Sequence, residues 1–299
     1  MHSLNEQQLN DFFQAALVEA FAEPIDINSY QLTSGGCINN TAIIRTNKGD
    51  YFIKWLPGES LDFFEKEALG LEALLSTRAV NCPRPIKASK TRDSAFLLME
   101  AISAAAPSTS SWTTLGKQLA LLHEVSAPGF GFKHDNYIGS LPQDNTKHSS
   151  WSEFFIHCRL VPQLRLAEQK GLIDIQIRER FDILFSRLED LFPKEPPALV
   201  HGDLWSGNVM FEMAQSGHSR PYIIDPAVHF AHREVELAFT TMFGGFGEGF
   251  YEGYQEVSPL EPGFEERIPL YNLYPYLVHV NLFGRSYLGG VVSTLDHFV

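Results

Sequence analysis

The stretch Leu199–Phe211, LVHGDLWSGNVMF, is an apolar run, a polar knot and a second apolar run. Inside the knot Asp203 and Asn208 stand five residues apart. A carboxylate that follows an apolar run and a glycine can accept, or orient, the proton of an attacking hydroxyl. The carboxamide oxygen of Asn208 can ligate a metal. Further on, Asp225 ends the strand-like run YIID, and a second carboxylate there suits magnesium, which takes hard oxygen ligands. Asp-x4-Asn followed by a strand-end Asp is the order found in a kinase catalytic loop and its metal-binding aspartate. Asp203 and Asn208 could equally cap turns, so the rest of the chain must decide.

Working back from this loop, TSGGCINN lies between two strand-like runs. Its paired glycines, Gly35 and Gly36, let the backbone bend sharply and turn N–H groups toward phosphates. With Cys37 and Asn39 they form a candidate ATP-covering loop, although Gly-Gly between strands is also an ordinary turn and is not GxGxxG. Lys54 lies inside the apolar strand YFIKWL, where a lysine is costly to bury without a partner. It either faces out or reaches the phosphates of ATP while paired with a glutamate of the next helix. Glu65 and Glu67 are the two candidates. On a helical projection Glu67 lies beside Leu74 and Glu65 beside Glu72, so the Glu67 flank is the less solvated. LLMEAI at 97–102 is the candidate interlobe hinge, with Met99, Glu100 and Ile102 presenting backbone to an adenine.

These parts follow one another in the order of a bilobal kinase. The first hundred residues read as an amphipathic helix, three strand-like runs (Tyr30–Ser34, Thr41–Thr46, Tyr51–Leu56) with NKGD as a hairpin turn, a helix from Leu61, and a strand ending near Glu100. The stretch VNCPRPIKA reads as a break. After SAAAPSTSS, a connecting segment, helical patterns dominate, with Pro162 kinking or delimiting one of them. The expected fold is α+β and protein-kinase-like. It has a small β-rich N-lobe over 1–102, with one main helix, and a larger, mostly α-helical C-lobe over 103–299.

Composition agrees with a globular chain of 299 residues, 44% hydrophobic and 20% charged. The net charge of −13 argues against a nucleic-acid surface and against docking on anionic lipid. No apolar run is long enough to span a bilayer, and the N-terminus lacks a signal-peptide pattern. Cys37, Cys82 and Cys158 are too scattered for a disulfide framework or a structural zinc site. A cytoplasmic setting is expected.

Two departures speak against a protein kinase. Asp225 is followed by Pro226 in place of Phe-Gly, and the helix-like REVELAFTTMF begins eight residues after Asp225. That leaves no room for a long activation segment, so a small acceptor is expected. HGDLWSGNV, GGCINN and DPAVHFAHREVELAFTTMFGGF resemble the fructosamine kinase (ketosamine-3-kinase) family, of the aminoglycoside phosphotransferase and choline kinase superfamily. LGKQLALLHEVS and FGFKHDNYIGSLPQDN resemble family segments too, and the likeness runs from about Ser34 to the C-terminus.

The resemblance implies ATP-dependent phosphorylation of the sugar 3-hydroxyl of ketosamines, adducts of sugars with amines including protein lysines. The 3-phosphate sheds its sugar, which implies deglycation repair. It implies Asp203 as catalytic base, Asn208 and Asp225 as Mg2+ ligands, Lys54 on the ATP phosphates and Glu67 orienting Lys54. Kinases of choline, an aminoglycoside or another sugar, and a nucleotide-binding module without catalysis, are the rival readings.

Among secondary residues, Trp205 is either an aromatic platform for the sugar or packing beneath the loop. His201 is a candidate acceptor contact or a brace of the loop. His123 reads as a structural histidine, and His229 with His232 as a weak zinc pair. Cys37, in the phosphate-covering loop, is a candidate redox switch, so a monomer or a redox-dependent dimer is expected.

Overall fold

The structure, a computed structural model, describes residues 5–33, 39–58, 61–91, 94–214, 217 and 219–299. Along the chain run α1 (Glu6–Phe21), β1 (Ile27–Thr33), β2 (Asn40–Thr46), β3 (Gly49–Pro57), α2 (Leu61–Thr77), β4 (Pro85–Thr91) and β5 (Ser94–Glu100). Then come α3 (Thr109–His123), β6 (Asn136–Ile138), β7 (Leu141–Gln143), α4 (Trp151–Phe154), a π-helical turn Phe155–Leu160, α5 (Val161–Gln169), α6 (Ile175–Phe185) and α7 (Leu188–Leu191). The path ends with β8 (Ala198–Val200), β9 (Val209–Met213), β10 (Ser219–Ile223), β11 (His229–Ala231), α8 (Arg233–Phe243), α9 (Phe250–Val257), α10 (Phe264–Phe283) and α11 (Leu288–Phe298). Two compact units result: Met1–Pro107 with Met210–Asp225, and Ser108–Val209 with Pro226–Val299.

The first unit is built on an antiparallel sheet of order β1-β2-β3-β5-β4. Side chains alternate along β3, so Ile53 and Trp55 share one face and Lys54 takes the other. Ile53 and Trp55 bury against Phe12, Phe13 and Leu17 of α1, together with Ile44, Phe96 and Leu98. An Asn5 capping box starts α1 by engaging Gln8 in both directions. Lys54 points instead toward α2, whose Phe64, Leu71 and Leu74 are buried.

The proline-rich break expected at VNCPRPIKA is in part a strand. β4 begins at Pro85 and forms the sheet edge, the one place where a missing N–H costs no ladder bond. The hairpin β9–β10 belongs to the same unit. Ala105 N–H donates to the Phe211 carbonyl (2.7 Å), Asn81 Nδ2 donates to the Pro221 carbonyl (2.9 Å), and Ile223 N–H donates to the Asn81 carbonyl (2.9 Å).

The second unit is mostly helical. Its core gathers Phe154, Phe155, Leu164, Phe181 and Leu184 with Leu270, Tyr271, Leu277 and Val280 of α10. α3 starts at Thr109 on a Ser108 cap, so the connecting segment is shorter than its sequence suggested. The helical pattern over 150–171, expected to be kinked or delimited at Pro162, is α4, the π turn and α5, with Pro162 in the first turn of α5. Pro162 has no N–H to give, and the ladder slips by one residue just ahead of it. No helix among the described residues is long and apolar enough to cross a membrane.

Candidate active site

Lys54 is 4% exposed, and its Nζ lies 2.7 Å from Glu67 Oε1. It also donates to Asp225 Oδ1. Of the two glutamates left open by the helical projection, Glu67 makes the pair. Burial by itself would lower the Lys54 ammonium. The Asp225 and Glu67 carboxylates outweigh it and hold Lys54 protonated, above the ordinary lysine range. For Glu67 burial pushes the carboxyl up, the Lys54 ammonium pulls it down, and the Asp225 charge pushes it up again, leaving it raised. Asp225 has φ +59°, an unusual backbone for a residue with a side chain, and its side chain is 38% exposed. One carboxylate oxygen is thus tied to Lys54 while part of the group faces out.

The loop after β8 is held by its backbone. Gly202 adopts φ +86°, and a Cβ there would lie 2.2 Å from the Ala227 carbonyl oxygen. Glu236 of α8 is buried and accepts from two consecutive amides, His201 N–H to Oε2 (3.0 Å) and Gly202 N–H to Oε1 (2.7 Å). His123 Nε2 lies 3.0 Å from Glu236 Oε2, and its Nδ1 lies 2.8 Å from the Tyr254 hydroxyl. Burial pushes the Glu236 carboxyl up, but His123, His201 and the Gly202 amide prevail and hold it below the usual value.

His201 is fully buried, and its Nδ1 accepts from the Asp203 N–H at 3.3 Å. It therefore braces the loop from beneath. Asn208 donates through Nδ2 to the Asp203 carbonyl (2.8 Å) and to Asp203 Oδ2 (3.3 Å). Its carboxamide oxygen, on the other side of the group, is the atom a cation would meet. Trp205 is 40% exposed, its indole covering Gly207 and its ring 6.2 Å from Phe243.

Asn208, in the second unit, and Asp225, in the first, each carry an oxygen of the kind that magnesium takes, and magnesium is typically held by one or two protein groups plus substrate phosphates. Among the described residues no group of three or more His, Cys, Asp or Glu forms a metal cage. His229 and His232 belong to the core. His232 stacks on Trp151 (4.9 Å, 13°) and His229 bonds to the Ala227 carbonyl. Burial and nearby arginines hold His232 down at about 3, and burial with Arg159 holds His229 well below its usual value.

Met99 is buried at the end of β5, and Glu100 N–H donates to the Arg84 carbonyl (3.0 Å), so that amide is already engaged. Ile102 is buried just beyond the strand. Gly35, Gly36 and Cys37 lie outside the described residues. Asn39, next to them, has a buried side-chain oxygen with no hydrogen-bond partner among the described residues. Cys82 and Cys158 are free thiols that burial pushes up to about 12 and about 11.

Glu236 escaped the sequence reading, because a glutamate in REVELAFTTMF looks like any helix-surface charge. Its one signal was its place in the first turn of a helix otherwise patterned for burial. Trp151 and Arg159 escaped too. With Asp203, Phe155, Phe239 and Val278 they line a cavity of about 40 Å3 within the helical unit.

A model of the fructosamine kinase family matches residues 10–299. A probable ketoamine kinase of Enterococcus faecium is 41% identical over 266 residues, 88% of this chain and 93% of the relative. The chloroplastic protein-ribulosamine 3-kinase of Arabidopsis thaliana is 39% identical over 271 residues, 89% of this chain and 81% of the relative. A solved candidate fructosamine-3-kinase from Thermobifida fusca has a TM-score of 0.83 at 33% identity, covering 95% of this chain and 96% of that one. The aminoglycoside phosphotransferase APH(4)-Ia, at 16% identity and TM-score 0.63 over 95% of this chain and 98% of its own, shares the two-lobed, protein-kinase-like α+β fold. With a family match running to the last residue and relatives alike over most of both lengths, the chain belongs to the fructosamine kinase family.

Proposed function

We propose that the protein transfers the γ-phosphoryl group of ATP to the sugar 3-hydroxyl of ketosamines, fructosamine or ribulosamine adducts on lysine or other amines. The observation that carries this reading is the Asp203 loop, whose backbone is pinned by Glu236 while Asn208 steadies the Asp203 carboxylate. Phosphoryl transfer asks the protein chiefly for positioning and charge, and a pinned carboxylate supplies the first. As the 3-oxygen bonds to phosphorus and the bond to ADP breaks, the hydroxyl proton passes to Asp203. Lys54, oriented by Glu67, holds ATP phosphate oxygens. Asn208 and Asp225 would each offer an oxygen to Mg2+, which would supply positive charge against the ATP phosphates. Met99, Glu100 and Ile102 supply the adenine contact, and Gly35, Gly36, Cys37 and Asn39 the phosphate cover. Trp205 touches the acceptor and His201 positions the loop.

In this reading residues 1–102 are the ATP-binding lobe and 103–299 the catalytic and acceptor-binding lobe, with Met210–Asp225 returning to the first. The setting is the cytoplasm, the acceptor a small ketosamine or a glycated protein lysine, and the role deglycation. A Cys37 disulfide to a second copy would block ATP, which equal activity with and without reductant would exclude. The reading is tested by ATP consumption against a synthetic ketosamine, choline and an aminoglycoside. Turnover with the ketosamine alone is expected. Preference for either of the others would reassign the acceptor, and none with any would leave a nucleotide-binding module.

A further inference from the structure

We infer that the cavity beside Asp203 receives the chain-end hydroxyl of the acceptor sugar, with Trp151 and Arg159 as its hydrogen-bond donors. This rests on the ketosamine reading above. Both residues line that cavity, and each has a buried N–H, Trp151 Nε1 and Arg159 Nε, without an acceptor among the described residues. Native interiors seldom leave buried donors unpaired, so two on one small cavity mark a place where oxygen atoms arrive.

Both donors are held rigidly. The Trp151 indole is stacked between His232 (4.9 Å) and Phe155 (5.1 Å). The Arg159 guanidinium donates to the Asp144 carbonyl (2.6 Å), the Cys158 carbonyl (3.0 Å) and Asn145 Oδ1 (2.7 Å), and lies 4.5 Å from the Phe154 ring centroid. Arg159 is 1% exposed and makes no ion pair among the described residues.

Charge and size narrow the occupant. Asp203 and Glu236 also line the cavity, so a carboxylate would be repelled, whereas a hydroxyl oxygen can accept from both N–H groups. The room, about 40 Å3, takes a few water-sized groups, enough for a hydroxymethyl end and not for a lysine-linked chain. With the 3-hydroxyl at Asp203, the amine-bearing carbon and the chain end lie on opposite sides of the reacting carbon. The chain end enters the cavity, and the amine stays where a protein can carry it. The site thereby reads the length of the sugar.

The test compares kcat/KM for a ketosamine and for its analogue lacking the chain-end hydroxyl, in wild type, Trp151→Phe and Arg159→Lys. Trp151→Phe keeps an aromatic ring between the same neighbours while losing the N–H and part of the indole, and the analogue arm separates the lost hydrogen bond from the lost packing, so it carries the test if Arg159→Lys fails to fold. Expected for Trp151→Phe is a loss of about tenfold on the complete ketosamine, in KM, with the ATP KM unchanged and almost no loss on the analogue. Equal losses on both substrates, or no loss on either, would overturn the assignment and leave the donors to bound water. Wild-type inactivity toward every ketosamine would overturn the reading beneath it, and the assignment with it.

Discussion

Glu236 Oε1 lies 2.7 Å from the amide nitrogen of Gly202, the residue before the proposed catalytic base. A single buried carboxylate on α8 thus fixes the strand-to-loop turn, at the one position where φ is +86° and no side chain fits. Gln in its place offers one acceptor oxygen for two amides. Glu236→Gln is therefore expected to lower kcat between about tenfold and a hundredfold, the scale of a small misplacement of a catalytic group. The ATP KM should hold. A matching fall in ATP affinity would mean that Glu236 supports more than this loop.

Asp203→Asn keeps the size of the side chain and removes the proton acceptor. Turnover should fall by about two to four orders of magnitude, with ATP binding retained in a titration of the purified variant. Near-normal turnover would remove Asp203 from the chemistry.

Lys54→Met leaves Glu67, buried beside the lost ammonium, without its cation. Breaking a buried pair from one side costs about 3–5 kcal/mol, so both stability and ATP affinity should drop. The double variant Lys54→Met/Glu67→Gln should regain stability without regaining ATP binding. Recovery of both would contradict a phosphate role for Lys54.

Much of this arrangement was legible in the chain. Lys54, Glu67, Asp203, Asn208 and Asp225 stand out because each is a polar residue whose neighbours are patterned for burial. Helical geometry left Glu65 and Glu67 both open and only leaned toward Glu67, on the less solvated flank; the resemblance implied Glu67, and the structure makes that pair. What stayed hidden depends on contacts far apart in sequence. Glu236 meets His201 and Gly202 only through the packing of α8 on the loop, and local periodicity carries no trace of that. Trp151 and Arg159 drew no reading from the sequence, because an unpaired N–H is a property of the cavity around it. β4 was missed because a proline at a strand start reads as a break until the strand is known to be an edge.

Stability should fall as pH falls below 6.5. Unfolded, each imidazole takes a proton near that value. Folded, His232 is held down at about 3 and His229 well below its usual value, so the unfolded chain binds more protons. His232 then removes about 2 kcal/mol of stability by pH 5, and His229 adds a loss of the same sign. Below 4.5 the lowered Glu236 carboxyl adds a loss of the same sign. Denaturant midpoints at pH 7.5, 6 and 5 check this, and His232→Phe should flatten the slope. A midpoint unchanged between pH 7.5 and 5 would show that these imidazoles titrate normally.

Trp205 separates platform from packing. Its indole is 40% exposed, so Trp205→Ala should cost little stability, while a sugar stacked on the ring would lose its contact. The ketosamine KM is expected to rise about tenfold with the ATP KM unchanged. Gly207→Ala supplies an independent check. Its Cβ would fall 2.2 Å from the Trp205 ring, so the indole must move although Trp205 itself is intact. If the ring is the platform, Gly207→Ala reproduces the rise in ketosamine KM. If Trp205 only packs, both variants lose thermal stability in proportion and leave the ketosamine KM where it was.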